Sequence, residues 1–432
     1  MNTEDQVKIY EVADVFSTGE TPAVTYTKRI FNTKTGATYD DYLSNRKKHR
    51  NGGVLVCGLS KLGKTSLVER CISSEEGIWL DGTIIKNLEG FWRSLAYRLG
   101  IFSTYTDALG TKNTDQDTFS ATAGPRCANA TWADSETKEK SQENTQTFDI
   151  SIEDAVIERL KTLRTPIVFD DYHHLEPTLR DHITEALKPI IRRSFLVLIA
   201  IPSHAFDPQS AATDLGGRVK TLEISPWKVC ELQGIAESGF QKLGVEASSQ
   251  VVKNMSQAAF GSPHVMQEIC LSLMEYEGIH ETTLSHKIDD VYMLDRVVSD
   301  VSNQIEPSVF RHLLKGPEGK PRDPITTTKG ITTDIYGLIL LALRESIPPM
   351  AINERDIRSC AAKLSTISIT TNRITSALGY LAEIAITKQG DSDPVFTYNE
   401  EERIAYIDDS ILGFFLKYGD WTARAEKYRK SN

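Results

Sequence analysis

VLVCGLSKLGKTSLVER, residues 54–70, decides how the rest of the chain is read. A short continuous apolar run, VLVCGL, leads into a glycine-bracketed loop and then an amphipathic stretch, the pattern of a buried strand feeding a helix. Within it Gly58-Leu59-Ser60-Lys61-Leu62-Gly63-Lys64-Thr65 matches GxxxxGK[ST] at every position. Two glycines let backbone N–H groups wrap a phosphate, and the helix that starts near Lys64 adds the positive end of its dipole. In this pattern Lys64 reaches the β- and γ-phosphates and the Thr65 hydroxyl binds Mg²⁺. ATP or ADP with magnesium is the expected cofactor, held by Gly58 and by Ser60, Lys61, Leu62, Gly63, Lys64, Thr65 and Ser66.

A second element fits the first. TPIVFDDY (165–172) is an apolar run ending in two acids, so a strand delivers Asp170 beside the magnesium and Asp171 next to the attacking water. Asp171 is shorter than a glutamate, so slow hydrolysis is expected. Ser203 and His204, after the run SFLVLIAIP (194–202), stand where a polar group would sense the γ-phosphate or where a loop simply leaves a strand. Arg218, in DLGGRVKTLEI, is a candidate arginine finger for a neighbouring subunit's nucleotide, weighed against a solvated strand-start arginine.

Around these motifs, apolar runs near 54–59, 77–82, 165–172, 194–202 and 218–225 alternate with helical stretches. Continuous apolar strands separated by helices indicate an α/β core with a parallel sheet buried on both faces. The expected organisation is a lead-in segment at 1–35, a P-loop core at 36–225, a helical lid at 226–315 and a linker at 316–330. A winged-helix domain follows at 331–432: helices at 334–346, 353–364 and 370–384, then a hairpin. One long helix is expected near 288–314. The stretch 103–147 is rich in Ser, Thr, Asp, Asn and Gly and poor in aliphatics, and reads as a polar, flexible insertion.

Composition narrows the class. The chain has 432 residues, 40% hydrophobic and 25% charged, with a formal net charge of −10. That balance argues against broad coating of nucleic acid and leaves room for a local basic surface, for which RKKHR (46–50) and Arg192–Arg193 are the candidates. Either is more often a solvated face. No apolar run approaches the length of a membrane span, and MNTEDQVKIYEVADVF does not read as a secretory or transit leader, so a cytoplasmic protein is expected. Six cysteines without a CxxC pair read as reduced thiols. His173 and His174, adjacent on a presumed strand, are expected to face opposite ways, against a metal role.

GLSKLGKTSLVER, IVFDDYHHL, GGRVKTLEISPW and the helix start GSPHVMQEI together resemble the STAND group of P-loop NTPases, within the AAA+ class that includes origin-recognition ATPases. The resemblance runs from about residue 22 to the C-terminus. It implies that the lead-in segment lies near the base and that Pro263, after Gly261, contacts the adenine from the lid. It also implies an ATP-dependent regulatory switch that oligomerises, controls a separate effector protein and acts in bacterial defence against phage. The polar insertion departs from the family's minimal core. Two other readings stay open: a DNA-binding loader or transposition-type ATPase that uses its winged helix, and a nucleotide-binding scaffold with negligible turnover. The expected recognition helix, TTNRITSALGYLAEIAI (370–386), carries one arginine and one glutamate, which is poor for neutralising phosphates and disfavours DNA.

Overall fold

Five strands, β1 (Gly53–Cys57), β2 (Ile78–Asp81), β3 (Ile167–Asp170), β4 (Leu196–Ala200) and β5 (Val219–Glu223), form one parallel sheet in the order β2-β3-β4-β1-β5. The computed structural model describes residues 8–101, 151–201, 208–319, 322–388 and 394–426. The insertion expected at 103–147, and Ser203 and His204, lie outside the described residues. In register, Gly53 of β1 faces Leu196 on one side and Val219 on the other, so these three strands end together. The apolar runs are continuous because both faces are covered. Leu55, Phe169, Leu196 and Leu198 pack into one core, and Val54, Val56, Val168 and Val197 into a second on the opposite side.

Helices in chain order cover that sheet and extend the molecule. α1 (Val12–Val15) and α2 (Tyr39–Lys47) precede β1, and α3 (Lys64–Cys71) follows it directly. α4 (Leu88–Arg98), α5 (Ile152–Leu163), α6 (Pro177–Ile190) and α7 (Pro208–Asp214) join the remaining strands. The lid consists of α8 (Val229–Leu243), α9 (Ser249–Ala258), α10 (Pro263–Tyr276) and α11 (Val291–Gln304), with a small parallel pair β6 (Val245–Ala247) and β7 (His286–Ile288) that apolar periodicity did not announce. The helix expected over 288–314 is two helices, α11 and α12 (Phe310–Lys315). Pro307 lies in the break, where it removes a donor and biases Glu306 away from helix.

The C-terminal unit has α13 (Ile335–Ser346), β8 (Ala351–Asn353), α14 (Glu354–Leu364), α15 (Thr371–Lys388), β9 (Phe396–Asn399) and β10 (Ile404–Ile407), closed by α16 (Ser410–Tyr418). β8 joins the expected hairpin to give a three-stranded sheet, β8-β10-β9, so the unit is a winged helix. Its core reaches back to Val309 and Phe310 of α12.

The units share packing. Phe414 of α16 lies in the lid core, Ser302 of α11 donates to the Phe414 carbonyl at 3.4 Å, and Phe260 meets Tyr418 edge-on at 6.0 Å. Val12, Val15 and Phe16 also sit in the lid core, where Gly239 leaves room for the Phe16 ring: a Cβ there would stand 2.3 Å from it. The five described cysteines are free thiols. Among the described residues no helix is long and apolar enough to cross a membrane.

Candidate functional site

The loop between β1 and α3 takes backbone shapes that its sequence requires. Gly58 has φ +152°, and a Cβ there would stand 2.5 Å from the Ile224 carbonyl oxygen. Gly63, at φ +82°, caps α3 in the left-handed region where a side chain is strained. Lys61 pays that strain at φ +61°, which points to a loop held in place by its surroundings. Lys64 is 8% exposed, and its Nζ donates to the carbonyls of Gly58 at 3.0 Å and Leu59 at 2.7 Å.

β3 delivers the acids as its length requires. Thr65 Oγ1 donates to Asp170 Oδ2 at 3.1 Å, and the Asp171 N–H donates to Asp170 Oδ1 at 2.9 Å. Burial, helped by the neighbouring charge of Asp171, pushes the Asp170 carboxyl up to about 6. The donor set, two hard oxygens already within hydrogen-bond reach of each other, suits Mg²⁺. Asp171 leaves the strand in the left-handed region at φ +49°. Gly82, at the end of β2, makes that turn possible: a Cβ there would lie 2.2 Å from the Asp171 carbonyl oxygen.

The histidine expectation is corrected by this turn. Tyr172–His174 is a 3₁₀ turn, not an extension of the strand, so His173 and His174 lie on one side with ring centroids 4.3 Å apart. Their ligating atoms and that of Asp171 fall within 4.8 Å of one another.

These elements open onto a cavity of about 1120 Å³, just above the usual range for small-ligand sites. Its floor is Ser60–Ser66. Segment 17–29 forms a wall from the N-terminal side, tied down where Tyr26 donates to Asp40 at 2.8 Å and Thr21 donates to Glu69. Arg29 is 6% exposed and joins three regions: it pairs with Glu231 at 3.1 Å, donates to Ser225 and Pro226, and lies over the Tyr39 and Trp227 rings.

The lid supplies the opposite wall. Trp227 Nε1 donates to the Leu62 carbonyl at 3.0 Å, and Ser262 donates to the Lys61 carbonyl at 3.2 Å while capping α10. Pro263 opens that helix, with its Cγ 3.9 Å from where a Cβ on Gly63 would stand. One turn on, Gln267 also lines the cavity and donates to Thr25 at 2.7 Å. The winged helix contributes Asp409, the N-cap of α16, whose carboxyl burial raises. His264 is held below its usual range by burial and by the charge of Lys61.

Of the expected contacts, Ser60 through Ser66, Asp171 and Pro263 line this cavity, and Gly58 and Asp170 adjoin it through Lys64 and Thr65. Arg218 does not join them. It precedes β5 at the other edge of the sheet, where it lines a separate cleft with Arg46 and Arg192. Arg29, Gly82, Trp227, Gln267 and Asp409 were not singled out from sequence. Gly82, directly after an apolar strand, was the one with a local signal; the others become neighbours only through the fold.

No family model matches the chain, and no curated protein matches it. Among solved structures, it is similar to Cdc6p of Pyrobaculum aerophilum, at 13% identity over 94% of this chain and 97% of that one, with a TM-score of 0.41. A Walker-type ATPase of Pyrococcus abyssi matches at 11% identity over 91% and 99%, with a TM-score of 0.48. The ORC2 protein of Aeropyrum pernix, solved as ADPNP–ADP complexes, matches at 11% identity over 93% and 96%, with a TM-score of 0.45.

Proposed function

We propose that the protein is an ATP-binding and slowly hydrolysing regulatory switch that changes its assembly with the nucleotide state and controls a separate effector protein. The observation that carries this reading is the composition of the cavity wall. Phosphate loop, lead-in segment, lid and winged helix each contribute a side chain to one enclosure, through Lys64, Arg29, Pro263 and Asp409. A change of charge in the cavity is therefore felt by every unit.

Lys64 leaves the Gly58 and Leu59 carbonyls to meet the β- and γ-phosphates, while the loop N–H groups and the N-terminus of α3 hold the rest of the chain. Thr65 and Asp170 would hold Mg²⁺, which would supply positive charge against the developing negative charge of the leaving phosphate. Asp171, fixed by its N–H bond to Asp170, orients the attacking water and accepts its proton. Its short side chain fits slow turnover. Pro263 packs on the adenine.

Coupling to the winged helix follows from Asp409. Its carboxylate feels the positive charge of Lys61, and both residues line the cavity. A triphosphate competes for Lys61 and repels Asp409, whereas a diphosphate carries less charge. ATP therefore favours moving α16 and the winged helix outward, exposing surfaces for a second copy or an effector. Sizing the protein with ADP, with a non-hydrolysable ATP analogue and without nucleotide tests this. A nucleotide-dependent change of mass is expected, and Asp409→Asn should blunt it; a monomer of constant size throughout would sink the switch.

A further inference from the structure

The edge of the sheet farthest from the phosphate loop has a character the nucleotide reading does not use. Four strands begin there side by side, in the order β3-β4-β1-β5, and each is preceded by arginine: Arg164, Arg192–Arg193, Arg50 and Arg218. The two basic runs singled out in the sequence, 46–50 and 192–193, thus meet from 142 residues apart. Two clefts of about 430 and 140 Å³ run along this edge and share His49, Asn51 and Arg192. Among the described residues, four lysines or arginines line the first and five the second, Arg192 being common to both, and no Asp or Glu lines either.

Such a concentration is unusual in a chain with a net charge of −10. Lys161 pairs with Glu158 on its own helix; none of the other cations of these clefts is in an ion pair among the described residues. Arg46 Nε is buried without an acceptor. Mutual repulsion of unpaired cations is relieved by acids or by a bound anion, and among the described residues no acid faces these clefts, which favours an anion. Arginine outnumbers lysine here, and its planar fork suits phosphate oxygens.

We propose that this edge binds the phosphate backbone of a nucleic-acid duplex, independently of base sequence. Shape selects that ligand. At ~4.8 Å between strands, four strand starts make a row about 14 Å long, enough to meet several phosphates of a duplex and far more than one. A single phosphate, or a neighbour's nucleotide met by Arg218 alone, would leave most of the row unused. Among the described residues no Phe, Tyr or Trp lines either cleft, so they offer no platform on which unpaired bases stack.

The test is fluorescence anisotropy with labelled duplex DNA, duplex RNA, single-stranded DNA and a poly-glutamate peptide at 50–200 mM salt. It uses the full chain and its double variant Arg192→Glu/Arg193→Glu. Duplex binding should weaken with salt at a log–log slope of about −3.6, and the variant should lose about two units of that slope and more than ~10-fold in affinity at 100 mM. The DNA and RNA arms tell which duplex is preferred. Both arginines are exposed, so an unchanged melting temperature and unchanged ATP affinity separate this result from misfolding and from any failure of the nucleotide reading. Arg164→Glu/Lys220→Glu, altering the arginine before β3 and a lysine of β5 that lines the first cleft, should show the same loss. Duplex binding that is absent, that survives both variants, or that is outmatched by poly-glutamate would overturn the proposal, as would variants that alter only self-association.

Discussion

The two edges of the parallel sheet are built from the same five strands and could hardly differ more. At the carboxyl edge, strands run into Gly58, Asp81 and Asp170, and one large cavity is enclosed by every unit of the molecule. At the amino edge, four of the five strands are preceded by arginines, the clefts there are small and open, and a single domain supplies all of their walls. The carboxyl edge brings opposite charges together, Lys64 beside Asp170 and Lys61 beside Asp409. Beside β3, β4, β1 and β5 the clefts of the amino edge are lined by one sign of charge, while Glu76, before β2, pairs with Lys47. Internal compensation fits a site that chemistry must reset; an uncompensated row fits a surface that waits for a partner.

Substitutions should separate the edges. The largest effect is expected from Lys64→Ala, which removes the cation that follows charge onto the γ-phosphate; phosphate release should fall on the order of 10³-fold. Asp171→Asn should lower turnover ~10²-fold while leaving nucleotide affinity nearly intact, read by single-turnover hydrolysis beside equilibrium binding. Equal rates in wild type and variant would remove Asp171 from its role. Gly82→Ala forces a Cβ against the Asp171 carbonyl, so a loss of ~10-fold in turnover is expected with nucleotide binding retained.

pH sharpens the contrast. Without a cation Asp170 is pushed up to about 6, so protons compete with magnesium for it, and the Mg²⁺ concentration needed for half-maximal phosphate release should rise as pH drops through 6. The sign for folding is the reverse. A carboxyl whose folded pKa lies above its unfolded value contributes stability that is fully present below about pH 4 and lost as pH rises through 6. Asp170→Asn should therefore raise the nucleotide-free melting temperature at pH 7.5 and have little effect near pH 4. The smallest effect on chemistry is expected from Arg192→Glu/Arg193→Glu: unchanged phosphate release in the absence of nucleic acid.

Legibility in the sequence followed the range of the interactions. GLSKLGKTS could be read because strand, loop and helix N-terminus are contiguous, and their geometry depends on glycines present in the motif itself. Asp170 and Asp171 could be read because an apolar strand ending in acids is also a local pattern. Pro263 needed the family resemblance, since a proline opening a helix is by itself only a helix start. Trp227, Gln267 and Asp409 could not be read. Each is an ordinary residue on an ordinary element, brought to the cavity by packing across 165 residues in the case of Trp227 and Leu62. The adjacent histidines misled because alternation holds on a strand, whereas the chain had already turned at Asp171.

Local periodicity and one motif thus determined an α/β core, its phosphate-binding loop and the acids opposite it, because those features rest on hydrogen bonds and side-chain directions within a few residues. Which units line the large cavity, and the fact that two unremarkable basic runs form one row, were decided by tertiary structure. Strand order is the physical reason: hydrophobic burial on both faces sets β1 between β4 and β5, and every strand start and strand end then takes its neighbours from that order.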